Sequence, residues 1–438
     1  MKLFLSTIQW LVFILAGSLV APLAVGNVLG LPPEEIASFM QRTFLLIGVS
    51  ALLQTLFGHK LPMMEGPAGL WWGVFVVYAG LIASGSLALT DGLRQLEMGM
   101  LITGGLFLLL GAMGWIGKIR KLFTPLVTGT YLIILVAQLS GSFMKGLFGI
   151  GYLTDEVDVR VALPAFGVLL IAMLLPRSRF GFLRNYSVLI SLLAGWLLFI
   201  ALGIAPEVLP AASAFDIPGI FEWGLPQWDA GVLPTSILIG LLLLANLIAS
   251  IAVVEKVVAK SQPDMPPVDY NRTSLIMGVS TALGGVFSAM GCVPISGTAG
   301  FMLTTGLVKR LPFILAAAGI ALVSFFPPVT AVLTSLPMPV GYAVIFIPFA
   351  SMIGLALREY QSLQGGDRDF FIIGVSLMIG IGSLFVPAQA IAHLPGLIRT
   401  IANNGLVLGM LVCILLEQLF IYREKAALRG KDGTNASS

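Results

Sequence analysis

Glu65-Gly66-Pro67-Ala68-Gly69 and Ser296-Gly297-Thr298-Ala299-Gly300 share the form x-Gly-x-Ala-Gly, and a proline lies near each, Pro62 and Pro294. Each opens a short, glycine-rich apolar segment. Glycine and proline clusters resist continuous helix, and the backbone groups they release inside a membrane must be satisfied by protein, water or ligand. The two copies are separated by seven apolar segments, an odd number, so they enter the membrane from opposite sides, which is the mark of an inverted repeat. Small residues also let helices pack closely, but two matched interruptions in opposed copies point instead to the binding site of a transporter.

Working outward, 58% of the 438 residues are hydrophobic and only 10% are charged. Soluble chains carry about a quarter charged residues, so a soluble enzyme is excluded. Apolar segments at 5–25, 39–57, 67–84, 97–117, 125–144, 161–176, 187–204, 232–255, 274–290, 297–308, 311–326, 340–357, 370–386 and 405–422 have lengths suited to helices in hydrocarbon. The expectation is an all-α polytopic membrane protein with fourteen transmembrane segments in a seven-plus-seven inverted repeat, its third and tenth spans broken. The first segment is longer than a signal-peptide core and has no convincing cleavage site, so it reads as a span.

Charge placement tests that count. With a cytoplasmic N-terminus, every basic residue of the 24 except Arg42, Arg94, Lys145, Arg160 and Arg399 falls inside, as the positive-inside rule requires. Removing one central span would invert every later loop. Both termini are therefore expected in the cytoplasm of a cell-membrane protein, and 205–231, with four acids and no lysine or arginine, in an extracytoplasmic loop. The net charge of +3 is small and dispersed, so nucleic acid is not an expected partner. Cys292 and Cys413 have no metal-like spacing and read as structural.

Several segments resemble the nucleobase–ascorbate transporter family, the xanthine/uracil permeases, over nearly the whole chain. Gln9-Trp10 with Pro22 downstream is similar to its Gln-His motif, tryptophan replacing histidine. Leu61-Pro62 with Gly66 resembles its Leu-Pro-x-x-x-Gly, Pro125 to Gly129 its Pro-x-Val-Thr-Gly, and Pro337 to Gly341 its Pro-x-Pro-Val-x-Gly. Gly300 with Thr305-Gly306 matches the second half of the tenth-span signature, whereas Gly297 and Thr298 replace its acid or amide and its asparagine. Glu255 fits the family's substrate-binding glutamate at the end of the eighth span.

The resemblance implies a divergent, bacterial-type purine permease, a secondary transporter of xanthine, urate, a guanine-like base or uracil, driven by protons or sodium and dimeric in the bilayer. It implies a core domain formed by 1–120 (spans 1–4) and 232–326 (spans 8–11). The gate domain would be formed by 121–204 (spans 5–7) and 327–422 (spans 12–14), with a cytoplasmic tail at 423–438. No cofactor or metal is expected, and the chain is read as a transporter rather than an enzyme.

A carboxylate in a membrane is costly and marks a path or a proton site. Glu255 is the first candidate for both substrate and proton, since Asn246 and Ser250 lie close to its helical face. Glu65 is the second acid, either replacing with Ser296 the missing tenth-span acid or forming an ion pair beside His59 and Lys60. Ala68, Gly69, Ser296, Gly297, Thr298 and Gly300 would present backbone groups at half-helix starts. Gln9 is a candidate to bond the base or to brace the broken spans, Trp10 reads as an interfacial aromatic rather than a stacking face, and His59 and His393 receive no role. A sulfate- or bicarbonate-type anion carrier is the alternative. A pump is excluded for want of a phosphate-binding loop, and an intramembrane enzyme such as a lipid-modifying transferase would want clustered acids for a metal or a histidine–serine pair, whereas the two histidines lie far apart.

Reporter fusions check the topology: fusions after Lys431 and within Arg177–Arg184 should read as cytoplasmic, and one within 213–229 as extracytoplasmic. The opposite pattern would reject the span count.

Overall fold

The structure is a computed structural model that describes all residues except 1, 68–70, 72–73, 76–77, 80–81, 83–86, 209–212, 230, 364–365, 388–389, 391–404 and 436–438. Its elements run α1 (Lys2–Ser18), α2 (Val20–Val28), α3 (Pro33–Phe57), β1 (Glu65–Pro67), α4 (Leu89–Ala112), α5 (Pro125–Leu147), α6 (Val159–Leu174), α7 (Ser187–Ala201), α8 (Val232–Ser261), α9 (Tyr270–Val286), β2 (Cys292–Pro294), α10 (Gly297–Thr305), α11 (Arg310–Val323), α12 (Met338–Gln361), α13 (Asp367–Ser383) and α14 (Gly405–Asn435), with short helices and turns between. Among the described residues, eight helices are long and apolar enough to cross a membrane, and α7 and α11 are shorter apolar helices. The chain is an all-α multi-pass membrane protein whose strands are two three-residue pieces. The expected third span lies largely outside the described residues.

Local chemistry sets several boundaries. Pro22 lacks an N–H and its ring crowds the carbonyl four residues earlier; that residue is Ser18, and α1 ends there. Pro33 opens α3 with Glu34 and Glu35 in its first turn, a placement that suits the positive end of the helix dipole. Asp158 caps α6 by accepting the Arg160 N–H at 2.9 Å. The Arg160 guanidinium bonded to the same carboxylate holds Asp158 below the usual carboxylate range. Asp269 caps α9, accepting from the N–H groups of Asn271 and Arg272 at 3.1 Å each.

The chain divides into two compact units, residues 1–118 with 143–351, and residues 119–142 with 352–438. In the first, α4 and α9 meet along a seam of small residues. A Cβ on Gly104 would lie 2.8 Å from the Gly278 carbonyl oxygen and 2.9 Å from the Ala282 nitrogen, and one on Gly285 2.8 Å from the Glu97 carbonyl oxygen. Helices without a water-driven force between them associate by such close backbone approach. Polar cross-links reinforce it: Ser274 Oγ donates to the Phe107 carbonyl at 2.9 Å, and Thr103 Oγ1 to that of Ser236 on α8 at 3.1 Å. Gly48 of α3 lies equally close to α11, its added Cβ 2.6 Å from the Ala321 nitrogen.

In the second unit α13 packs on α14. A Cβ on Gly405 would meet the Gly380 carbonyl oxygen at 2.2 Å. Thr124 donates to both carboxylate oxygens of Glu417 at 2.9 and 3.0 Å, and Thr130 Oγ1 lies 3.0 Å from Tyr360 Oη.

The seam makes an opposed pair of predictions on one helix. Gly104→Ala, which thrusts a methyl into the α9 backbone, should cost about 1–3 kcal/mol of stability. Gly105→Ala, whose Cβ meets nothing within 4 Å, should be neutral or slightly stabilising. Thermal unfolding in detergent compares them.

Candidate functional site

The broken segments meet each other. β1 pairs antiparallel with β2 in the register Glu65 to Pro294, Gly66 to Val293 and Pro67 to Cys292. The pairing continues beyond the strands: the Ile295 N–H donates to the Met64 carbonyl at 2.9 Å, and the Met64 N–H to Thr298 Oγ1 at 3.2 Å. Thr298, expected to face substrate, thus also ties the approach to β1 onto the first turn of α10. The matched motifs fall differently on the two copies: the first begins inside β1, whereas the second begins after β2 and opens α10.

Glu65 sits in this ladder with its side chain fully sealed, as is that of His59. The Leu61 N–H donates to His59 Nδ1 at 2.9 Å. A ring nitrogen that accepts cannot carry hydrogen, so Nε2 carries it and donates to Glu65 Oε1 at 3.3 Å. The imidazole is therefore neutral, and the expected ion-pair reading gives way to an uncharged donor on a buried acid. Lys60 is exposed beside it, in left-handed backbone at φ 60°. Glu65 Oε2 has no hydrogen-bond partner among the described residues. His59 also contributes to the wall of a cavity of about 680 Å³ bordered by Lys60, Asp264, Asp269, Arg272 and Arg310.

Gln9 is fully buried on α1, and among the described residues neither its amide nitrogen nor its amide oxygen has a hydrogen-bond partner. An unbonded buried amide is expensive, and two such atoms on the helix that packs against β1 mark a place that could take a polar contact. Trp10 is fully buried, not interfacial: its ring lies 4.5 Å from that of Phe301 on α10 and 5.0 Å from Phe313 on α11. With Phe13 stacked on Phe301 at 4.3 Å, this aromatic cluster seats α1 against α10.

The remaining candidates distribute unevenly. Ser296 is the buried residue before α10 and makes no side-chain cap. Gly297 and Gly300 are buried in the first turns of that helix. Ala68, Gly69 and His393 lie outside the described residues. Glu255 is on α8, but its carboxylate accepts the Val268 N–H at 2.9 Å and the Tyr270 hydroxyl at 3.0 Å, both at the connection from α8 to α9. On α8 it is Asn246 that is seen to reach β2, donating to the Pro294 carbonyl at 3.4 Å among the described residues. At 1.5 Å of rise per residue these two positions are about 13 Å apart along the helix.

Two buried ionic residues went unread in the sequence although both interrupt apolar helices. Glu97 on α4 is fully buried and accepts a bond from the Ser288 hydroxyl. Arg42 on α3 is 1% exposed, with Nη1 3.8 Å from Glu222 Oε2 and its guanidinium 5.7 Å from the centre of the Trp223 ring. They anchor the 213–229 loop onto the first unit.

Comparison with known proteins bears on the fold and on the family. The solved transmembrane domain of the cyanobacterial bicarbonate transporter BicA matches at a TM-score of 0.54 and 16% identity, covering 95% of this chain and 97% of that one. The murine anion transporter Slc26a9 matches at a TM-score of 0.59 and 11% identity, covering 96% and 68%. These likenesses establish a shared fold. In sequence, the Bacillus subtilis (strain 168) protein YwdJ is 39% identical over 429 residues, 97% of each chain. The uric acid permease PucJ and the xanthine permease of the same organism are 26% and 25% identical, over 98% and 96% of this chain. The xanthine/uracil permease pattern, described as a permease family, matches residues 1–389. A membrane chain whose two broken segments pair around a buried acid, and whose sequence follows that pattern over most of its length, belongs to the xanthine/uracil permease family.

Proposed function

We propose that the protein imports a purine nucleobase, xanthine, urate or a guanine-like base, with protons as the coupling ion and alternating access as the mechanism. The observation that carries this reading is the pairing of β1 with β2 around Glu65, whose Oε2 has no hydrogen-bond partner among the described residues, with the Gln9 amide, likewise unbonded among them, on the helix that packs against β1. A purine edge presents N–H donors and carbonyl acceptors side by side, and a carboxyl with an amide answers both. Two relatives whose names specify uric acid and xanthine support the choice of substrate. Uracil is the second base. The anion-carrier alternative draws on shared fold alone.

Of the two candidate acids we assign the proton to Glu65. One of its oxygens is held by a neutral histidine and the other has no hydrogen-bond partner among the described residues, so it can gain and lose a proton without dismantling a structural bond described there. Both oxygens of Glu255 hold the connection between α8 and α9, which makes it a brace for the substrate-bearing helix. Ser296, Gly297, Thr298 and Gly300 would supply backbone groups at the α10 start, with Ala68 and Gly69 supplying the counterparts after β1. The fourteen-span, seven-plus-seven arrangement belongs to the same proposal, with a core of 1–120 and 232–326 moving against a gate of 121–204 and 327–422. So do cytoplasmic termini and a homodimer.

Uptake of radiolabelled xanthine, hypoxanthine, guanine, urate and uracil into proteoliposomes under an imposed pH gradient tests the reading. Wild type should accumulate at least one purine only with the gradient. Glu65→Gln should abolish gradient-driven accumulation, a drop of about a hundredfold, while Glu255→Gln should reduce uptake severalfold and keep its gradient dependence. The reverse ranking would move the proton to Glu255. No uptake of any base would reject the substrate class and turn the search to bicarbonate and sulfate.

A further inference from the structure

Resting on the assignment of the proton to Glu65, we propose that His59 is an insulator. It holds Glu65 through one ring nitrogen while its other nitrogen is closed, so the carried proton does not pass into the cavity that His59 borders. Of the residues around that cavity, His59 is the one whose side chain is bonded to Glu65 among the described residues. Lys60, Arg272, Arg310, Asp264 and Asp269 give the cavity a polar rim that suits water, and in the proposed topology it lies toward the cytoplasm. The Glu65 and His59 side chains are both fully sealed. Residue 59 as a whole is 3% exposed, so what little of it is open is backbone.

A histidine ordinarily relays protons, because it accepts at one ring nitrogen while it donates from the other. A relay here would place a proton from the cavity on Nδ1 and pass the Nε2 proton to Glu65 Oε1. The Leu61 N–H already occupies Nδ1 at 2.9 Å, and an amide has no proton to give up in exchange. The relayed ring would carry hydrogen on Nδ1, donor against donor in a buried place. The turn that sets this contact is pinned on both sides. The Gly58 N–H donates to the Leu53 and Gln54 carbonyls and the Lys60 N–H to that of Gln54 at 3.1 Å, while the Leu61 carbonyl accepts from Thr55 Oγ1 at 3.0 Å. Between them Lys60 is held at φ 60°, a conformation that a non-glycine residue keeps only where its surroundings impose it.

Two further ionisable groups face the pair. Arg310 of α11, anchored by Nη2 on the Thr55 carbonyl at 2.5 Å, opposes a second positive charge on the ring. The buried Cys292 thiol on β2 lies within electrostatic reach of Glu65. A symporter needs such closure, since an acid in free exchange with the cytoplasm would discharge the gradient without moving base. Exchange is left to Oε2, which has no hydrogen-bond partner among the described residues.

Proton flux into proteoliposomes holding a pH-sensitive dye, driven by an acid pulse with the membrane potential clamped and no base present, tests the insulation. Wild type should be tight. His59→Ala should leak severalfold faster and lose gradient-driven purine accumulation, and adding Glu65→Gln to it should abolish the leak. His59→Gln, a donor that cannot be protonated, should restore both tightness and accumulation; a relay would leave it without accumulation. A His59→Ala protein as tight as wild type, or a leak that persists in the double variant, would overturn the inference and leave the proposed function standing. So would a His59→Gln protein that unfolds at the wild-type temperature yet accumulates nothing. Wild type that accumulates no base would reject the proposed function by itself, because the flux comparison of the same variants uses no base and still decides the insulation.

Discussion

Backbone that leaves the helix inside a membrane has no water to satisfy it, and the rest of this structure is arranged around that requirement. Two segments that cannot continue as helix, 58–67 and 288–296, are placed so that each supplies the other's partners. β1 and β2 exchange the ladder bonds, Met64 and Ile295 extend them, and Thr298 adds a side-chain acceptor. The Leu61 carbonyl is taken by Thr55 Oγ1 at 3.0 Å, and the Met290 N–H finds Thr43 Oγ1 at 3.3 Å. Neither segment could be satisfied in this way alone, so the two distant parts of the sequence are bound to one another at the point where chemistry is concentrated.

The close-packed seams keep that meeting point in register. Small residues bring α4 onto α9, and α3 onto α11, to backbone contact, and α3 and α9 lead directly into the irregular segments before β1 and β2. A membrane protein gains little from burying apolar surface against apolar lipid, so dispersion and interhelical hydrogen bonds carry the cohesion. The result is a permease, not a catalytic enzyme, in which precision comes from glycine rather than from bulky interlocking side chains.

Much of the helical framework is legible in the sequence because hydrocarbon thickness and side-chain charge leave few options. The apolar segments and the described helices coincide closely, for example 125–144 with α5 and 187–204 with α7. The site is less legible. Strands of three residues containing proline carry no periodicity, and a pairing between residues more than two hundred apart leaves no local trace, so the matched motifs locate the region and miss the register. The stripe of Asn246, Ser250 and Glu255 reads correctly as one face of α8, but a stripe does not say which end meets the partner. The structure places Asn246 on β2 and Glu255 on the following connection. Gln9 and Glu65 were readable as polar residues in apolar surroundings.

Cys292 sits in the ladder itself, 1% exposed and in no disulfide, and Cys413 is fully buried in the other unit. A thiol reacts only as the accessible thiolate, so a membrane-impermeant alkylating reagent should find the resting chain almost silent. Any cycle that parts β1 from β2 would uncover the Cys292 sulfur. The native sequence therefore carries its own chemical test of whether the two broken segments ever separate.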